Sequence, residues 1–342
     1  MLNLFSTILI ICSFLIFPHS SGGIAYYSPG IIISSLLYFF SLLAYILNSS
    51  FIYSKKFFYE FTLSSLFLVY SIFLGYYHGE SILIYFSKSL FLVSTLFISK
   101  LINKKNSKLI FKSIMFIFTI DLIFRLISAP DINSYAFKHG LLFVDTNFIG
   151  LTIVPAVTIF LKVKPKGIFP LLGLVITLFT ASKTAYFGLI LFFSSLLKKF
   201  FRNFVYILII VLAILFLFNS SIFLGFDGSL DTKVEIVDSL QYLDINVEKV
   251  IFGFGKLGIE ELVENSTVGH SLVGIASQYG IIYILLQLLA TLLFIKKEFR
   301  DNFIFFWIFI GVVSVYPLST IGLSIILFNC ALEECKKIDS KI

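Results

Sequence analysis

The sequence of 342 residues has little charge: only 13% of its residues are Asp, Glu, Lys or Arg, whereas 58% are hydrophobic and the mean hydropathy is +1.01. Together with its 43 phenylalanines, this scarcity of charge excludes an ordinary soluble domain. The three cysteines show no metal-ligand spacing, and neither a P-loop nor a Ser-His-Asp arrangement is visible. The sequence therefore predicts no metal site, no ATPase and no hydrolase.

Apolar runs near the length that crosses a bilayer, roughly 17 to 25 residues, occupy most of the chain. They are continuous and lack the alternation of barrel strands, so they predict an all-α, polytopic membrane protein with a single membrane domain over residues 1–342. No Lys or Arg precedes Lys55, which is untypical of a cleaved signal peptide, so we expect the N-terminus to form the first span. About twelve spans are predicted, near residues 2 to 18, 30 to 48, 57 to 77, 81 to 99, 111 to 129, 146 to 162, 167 to 181, 184 to 198, 203 to 221, 279 to 295, 302 to 316 and 319 to 334.

The basic residues predict the orientation of these spans. With both termini cytoplasmic, nineteen of the 26 Lys and Arg fall in every second connection, as the positive-inside rule requires. The net charge of +7 then reflects an anionic membrane leaflet and gives no reason to expect a nucleic-acid partner. Three histidines, His78, His139 and His270, fall on the outer side. Seven basic residues stand outside the orientation pattern: Lys88, Arg125, Lys138, Lys183, Lys233, Lys249 and Lys256.

One outer connection is long, the periplasmic loop at residues 220–270 between predicted spans 9 and 10. The apolar positions of VEIVDSLQYL, residues 234–243, recur at helical spacing and predict an amphipathic helix on the outer surface. Near the end of the loop lies GFGKLG, residues 253–258, a literal match to the dinucleotide pattern G-x-G-x-x-G. Without a flanking βαβ unit it does not predict an NAD site. We expect its glycines, Gly253 and Gly255 among them, to form a tight turn with positive φ that positions His270.

Several segments resemble bacterial O-antigen polymerases and O-antigen ligases. IFGFGKLGIEELVENSTVGHSLVGIASQYGIIYILL resembles the stretch of that family in which Gly-x-Gly is followed by a loop histidine and by a Tyr-Gly that opens a span. DTN at 145–147 resembles the family's Asp-x-Asn, and TASKTAYFGL at 180–189 resembles its Ser-Arg-Thr connection between spans. DTKVEIVDSL, residues 231–240, lies where the family has a basic residue before an amphipathic helix. Lys183 and Lys233 stand where the family usually has Arg, which keeps the charge but not the bidentate geometry.

The resemblance, which covers about the second half of the chain, implies a cofactor-independent glycosyltransferase at the outer face of the inner membrane. Its donor would be an oligosaccharide linked to undecaprenyl pyrophosphate, and its partners a chain-length regulator and a flippase in the same membrane. Lys183 and Lys233 would bind the pyrophosphate, and His270 would act as a general base near the acceptor hydroxyl. Asp145 and Asn147 would bind sugar hydroxyls or orient a cation.

Alternatives remain open at each of these positions and for the function. His270 is otherwise a solvated or capping residue, Lys183 a side chain that reaches the lipid headgroups, and Lys233 a solvated surface residue. Asp121 and Arg125, spaced i, i+4 within a span, form either a structural ion pair or part of the substrate cavity. An O-antigen polymerase is favoured over a ligase that transfers polysaccharide to lipid A-core. The rival from another class is a flippase or transporter for lipid-linked oligosaccharide, against which the long outer loop and the outer cations argue.

Overall fold

The structure, a computed structural model, is built of α-helices. It describes residues 2–15, 36, 38–43, 55–129, 146–163, 167–180, 182–196, 199–218, 234, 238–239, 246–263, 271–313 and 318–339. No strand occurs within these ranges, and the all-α class predicted from the sequence is confirmed for them. The α-helices are α1 (Leu2–Leu15), α2 (Lys55–Tyr77), α3 (Ile82–Ser99), α4 (Ser107–Ser128), α5 (Thr146–Val163), α6 (Ile168–Phe179), α7 (Lys183–Ser195), α8 (Lys199–Phe218), α9 (Val247–Phe252), α10 (Lys256–Val263), α11 (Leu272–Phe294), α12 (Arg300–Val313) and α13 (Leu318–Asp339).

Helices lie at eleven of the twelve predicted spans, and the remaining span, near residues 30 to 48, falls largely outside the described residues. Two of these helices, α2 and α11, are each 23 residues long and are apolar enough to cross a membrane, judged by length and composition. Six shorter apolar segments, of 10–17 residues, lie within α1, α3, α5, α6, α7 and α8. The count of twelve spans and the cytoplasmic position of both termini stay predictions.

Contacts between residues divide the chain into two compact units. Unit 1 comprises Met1–Tyr59, Ser87–Phe193 and Leu318–Ile342, and unit 2 comprises Glu60–Phe86 and Ser194–Pro317. These units are defined by contacts between residues and do not test whether residues 1–342 form one membrane domain, which stays a prediction.

Unit 1 is centred on two buried helices, α5 and α13, which pack against each other. Residues 149–160 of α5 and 320–328 of α13 are mostly apolar and are buried around the whole circumference, as expected of helices enclosed by other helices. Helix α13 also packs against α4 and α1, and α6 packs against α4 and α5. Rings from three helices meet there, since Phe111 lies 5.0 Å from Phe160 and 5.2 Å from Phe169 between ring centroids.

A buried ion pair interrupts the apolar face of α4. Arg125 Nε lies 2.8 Å from Asp121 Oδ2, and both side chains are fully buried. The i, i+4 pairing expected from the sequence is thus confirmed. Because two charges removed from water are costly to bury, each depends on the other for its stability.

Unit 2 is organised around α11, which packs against α9, α10 and α12, while α8 packs against α12. The polar and aromatic side chains of α11 face inward, with Tyr279, Tyr283 and Gln287 buried. Its outward side carries Ile281 and Leu285, and with Leu289 these form a stripe with four-residue spacing that is 41–50% exposed. This helix therefore exposes an apolar stripe and buries amide and hydroxyl groups beside apolar residues such as Ile284 and Phe294, whereas a surface helix in water exposes its polar face.

We predict that breaking the buried pair destabilises the protein, whereas breaking an exposed pair does not. Asp121→Asn or Arg125→Gln removes one charge of the buried pair and leaves the opposite charge buried, which costs about 3 to 5 kcal/mol. The matched control is Lys336→Gln, because Lys336 and Glu333 form a partly exposed pair at 2.7 Å, and such pairs contribute about 0 to 1 kcal/mol. The melting temperature of the purified protein in detergent measures the difference.

Normal melting of Arg125→Gln combined with loss of activity would contradict the structural interpretation. The pair would then belong to the substrate cavity, the alternative left open by the sequence.

Candidate functional site

The GFGKLG segment forms a turn between two short helices. Helix α9 ends at Phe252 and is followed by Gly253, whose φ is 79°, and α10 begins just after Gly255, whose φ is 85°. These two residues confirm the expected turn with positive φ. Residues with a Cβ disfavour that backbone conformation. The third glycine, Gly258, lies inside α10 instead. Within residues 246–263 a helix, and no strand, precedes the turn, so the Rossmann arrangement is absent here.

The turn is bonded, backbone to backbone, to a break in α11. Phe254 N donates to Ser277 O at 2.8 Å, and Gly255 N donates to Gln278 O at 3.0 Å. The break lies at Gly280, which has a φ of 78° inside the helix. A Cβ at Gly253 would lie 2.3 Å from the Gln278 carbonyl oxygen, and one at Gly280 would lie 2.0 Å from the carbonyl oxygen of Ile251. Glycine at both positions therefore permits the contact.

Side chains from α2 and from the connection after it donate hydrogen bonds to the last carbonyl groups of α9. The last carbonyl groups of a helix have no N–H donor within the helix, so they accept hydrogen bonds from groups outside it. Tyr70 Oη donates to Ile251 O at 3.3 Å, and His78 Nε2 lies 2.9 Å from Phe252 O. Because a carbonyl oxygen only accepts, Nε2 of His78 carries the hydrogen of this bond.

Glu80 accepts hydrogen bonds from the first backbone amides of α10. Its Oε1 accepts from Leu257 N at 2.9 Å and its Oε2 from Lys256 N at 3.2 Å. The hydroxyl of Tyr85 donates to Oε2 at 2.7 Å and accepts from Lys256 N at 3.1 Å. Glu80 thus occupies the helix N-terminus where a dinucleotide fold would hold pyrophosphate.

Aromatic rings surround this arrangement. Tyr279, next to the break, lies 5.0 Å from Tyr85 and 4.8 Å from Tyr283 between ring centroids. On the other side, the ring of Phe252 lies 4.9 Å from that of Tyr77, whose hydroxyl donates to the carboxylate of Glu248. Of these rings, those of Tyr85, Tyr279 and Tyr283 are buried.

In unit 1 the Asn147 and Lys183 segments meet. Ser182 Oγ donates to Asn147 Oδ1 and accepts from Ala185 N at 3.0 Å, so the serine caps α7. Lys183 is the first residue of α7 and is exposed. A Cβ at Gly150 would lie 2.3 Å from Ala185 Cβ, so glycine permits α5 and α7 to approach closely.

The remaining predicted site residues have different outcomes. Asp145, Lys233 and His270 lie outside the described residues, as does most of the amphipathic segment 234–243. The roles assigned to them stay predictions, as do those of Asn147 and Lys183. Among the described residues, Gly253 and Gly255 belong to unit 2, whereas Asp121, Arg125, Asn147 and Lys183 belong to unit 1.

Sequence analysis missed Glu80, Tyr85 and the role of His78. A signal was present, because Glu80 is the only acidic residue between Glu60 and Asp121 and lies in a short connection between two apolar runs. An isolated carboxylate in such a place needs a partner, and here the partners are backbone amides.

No protein-family model, curated protein or solved structure matches the chain. The functional proposal therefore rests on the resemblance of the sequence segments and on the contacts that these segments make.

We predict opposite effects for two glycines of the GFGKLG segment. Gly253→Ala forces a Cβ against the Gln278 carbonyl and a left-handed backbone, which alone costs roughly 1 to 2 kcal/mol, so the protein should melt at a lower temperature. Gly258→Ala is the matched control, because a Cβ there meets nothing within 4 Å, and Ala in a helix gains about 0.5 to 1 kcal/mol. Equal melting temperatures of the two variants would show that the backbone contact contributes nothing to stability.

Proposed function

We propose that the chain is an O-antigen polymerase, a glycosyltransferase that joins repeat units linked to undecaprenyl pyrophosphate. The observation that carries the proposal is that the sequence segments that resemble the O-antigen polymerase family contact each other in pairs. The Gly-x-Gly turn bonds to the backbone beside the Tyr-Gly of α11. Separately, Asn147 of the DTN segment bonds to Ser182 of the SKT segment. Segments that serve one function are expected to be brought together in this way, and nothing in their sequence spacing requires it.

A membrane location is supported by the distribution of side chains on the long helices. The apolar stripe of α11 faces outward while its Gln and Tyr side chains are buried. Helix α8 similarly exposes Phe204, Ile207 and Ile214, each at 49% or more. An apolar surface of this extent is unfavourable in water and favourable against lipid. We therefore propose a multi-pass protein of the inner membrane with about twelve spans, both termini cytoplasmic and the long loop periplasmic.

The proposed chemistry is transfer of a growing oligosaccharide from its lipid carrier. An acceptor hydroxyl attacks the anomeric carbon of the donor, the bond to the pyrophosphate breaks, and undecaprenyl pyrophosphate leaves. His270 takes the proton of the hydroxyl, since its ordinary pKa lies near working pH. Lys183 and Lys233 are assigned to the pyrophosphate, and Asp145 and Asn147 to sugar hydroxyls. A chain-length regulator and a flippase in the same membrane are the proposed partners.

Described residues on either side of the segment that carries His270 are bonded to each other. That segment connects α10 to α11, and the bonds run from residues 254 and 255 to residues 277 and 278. Because catalysis depends on the positioning of reacting groups, these bonds support the assignment of His270 as the general base.

We predict that deletion of the gene leaves lipopolysaccharide with one repeat unit on the core. Without polymerisation the ligase still transfers a single unit, so a gel should show one band above the core in place of a ladder. Core without any repeat unit would contradict the proposal and would favour an O-antigen ligase or a flippase. A normal ladder would remove the protein from this pathway.

In the deletion strain we predict that His270→Ala fails to restore the ladder, because the acceptor proton has no base. Lys183→Ala should also fail, whereas Lys183→Arg should restore it, since Arg keeps the charge and adds bidentate contact with phosphate. Ile190→Ala is the matched control on α7, because Ile190 is an exposed residue of the same helix outside the SKT segment.

Protein amounts in the membrane must be equal for this comparison. A full ladder from His270→Ala would exclude it as the base, and a full ladder from Lys183→Ala would exclude that residue as a pyrophosphate ligand.

A further inference from the structure

Helix α9 has an exposed apolar side. Val247 and Val250, which are spaced i, i+3 and therefore share one side of the helix, are 75% and 47% exposed. The sequence places both residues within the long periplasmic loop. We propose that α9 lies at the boundary between membrane and water, with this side against phospholipid. The inference rests on the membrane location in the proposed function and is independent of the polymerisation reaction.

The apolar side of α9 adjoins an exposed stripe on α2. The stripe follows one side of α2, is 41–81% exposed, and consists of Leu66, Val69, Phe73 and Tyr76. Helix α2 is long and apolar enough to cross a membrane. An exposed apolar stripe along such a helix is unfavourable in water and favourable against lipid.

Contacts join α9 directly to the end of this stripe. The ring of Phe252 lies 5.8 Å from that of Phe73 and 4.9 Å from that of Tyr77 between centroids. The hydroxyl of Tyr77 also donates to Glu248, the acidic residue in the first turn of α9. Helix α9 therefore packs beside the last turns of α2, at the level where the stripe ends.

The length of α2 gives that level. Its 23 residues extend over about 35 Å at the usual helical rise, and the hydrocarbon core of a bilayer is about 30 Å thick. With Leu66, the middle residue of α2, at the centre of the membrane, Phe73 lies about 10 Å and Tyr76 about 15 Å from the centre along the helix. Tyr76 thus marks the edge of the hydrocarbon core, where tyrosine is enriched in membrane proteins. Helix α9, in contact with Phe73, lies at the same edge.

The backbone bonding of α9 fits such a position. Tyr70 Oη donates to Ile251 O and His78 Nε2 to Phe252 O, while the amides of residues 254 and 255 bond to carbonyls of α11. In water these groups could bond to solvent, whereas near the hydrocarbon core their partners must come from the protein. The last turn of α9 and the turn after it thus have the internal bonding that lipid requires.

The basic residue of α9 is also compatible with the boundary. Lys249 Nζ lies 5.4 Å from the centroid of the Phe254 ring. A lysine at a membrane surface keeps its carbon chain against apolar groups and extends its ammonium group towards the headgroups. Helix α9 therefore combines an apolar side with a charge that phospholipid phosphates can accept.

Tryptophan fluorescence in lipid nanodiscs tests the contact. Trp307 is the single tryptophan of the chain and is 2% exposed, so Trp307→Phe gives a background for one new reporter at a time. The reporters are Val250→Trp on α9, Val69→Trp near the middle of α2, and Lys104→Trp. The last is the matched control, because Lys104 is an exposed residue in the connection between α3 and α4. The full chain is placed in phosphatidylcholine nanodiscs, with iodide as the quencher in water and brominated phosphatidylcholine as the quencher in lipid.

The depth of the bromine atoms distinguishes the boundary from the membrane centre. An interfacial helix is buried about 5 to 10 Å into the boundary, so bromine near the glycerol end of the acyl chains should quench Val250→Trp about twice as strongly as bromine near the membrane centre. Val69→Trp should show the reverse order. Lys104→Trp should be quenched by iodide and little by either lipid, which excludes the preference of tryptophan itself for membrane surfaces as the cause.

Three results would overturn the inference. Quenching of Val250→Trp by iodide and not by lipid would place α9 in water, and quenching by neither would mean that another protein segment or a second copy covers it. Absence of lipid quenching at Val69→Trp would refute the membrane location and the proposed function with it. Lipid quenching as expected in a protein that polymerises nothing would refute the polymerase alone. If Val250→Trp does not accumulate, Val247→Trp on the same side of α9 decides.

Discussion

The close approach of two backbone segments, the turn at Gly253 and Gly255 and the break at Gly280, is the constraint on which the candidate site in unit 2 depends. Backbone groups away from water must find partners, and here the turn finds them in the carbonyl groups of Ser277 and Gln278. The approach is possible only without side chains at the contact. Once it is made, the ends of α9 and α10 are brought within reach of Tyr70, His78 and Glu80, which complete the bonding.

The same requirement explains several buried polar groups of unit 1. Asp121 and Arg125 are fully enclosed and bonded to each other, and the hydroxyl groups of Ser94, Thr158 and Thr177 bond to carbonyls of their own helices. Internal bonding of this kind is what an apolar surrounding demands, because no solvent is present to supply partners. The outward apolar stripe of α11 fits the proposed membrane location, since side chains that face lipid need no hydrogen-bond partner.

The sequence predicted the helices well because apolar run length is a local property. It also predicted the pair of Asp121 with Arg125, since i, i+4 spacing places both on one helix face, and the positive φ at Gly253 and Gly255. It did not predict α9 and α10 within the long loop, because their few apolar residues form no extended pattern. Contacts of Glu80 with Lys256 and Leu257 join residues about 176 positions apart, and no local pattern reports such a distance. The roles of His270, Lys233 and Asp145 stay predictions.

The occupation of the α10 N-terminus by Glu80 has a consequence for ligands. A phosphate group that approached these amides would compete with a carboxylate attached to the same chain. Such a tethered competitor acts at an effective concentration in the millimolar range or above, and its own charge repels the incoming anion. The N-terminus of α10 is thus already bonded to a carboxylate of the same chain, and a sequence pattern typical of cofactor binding makes contacts within the protein.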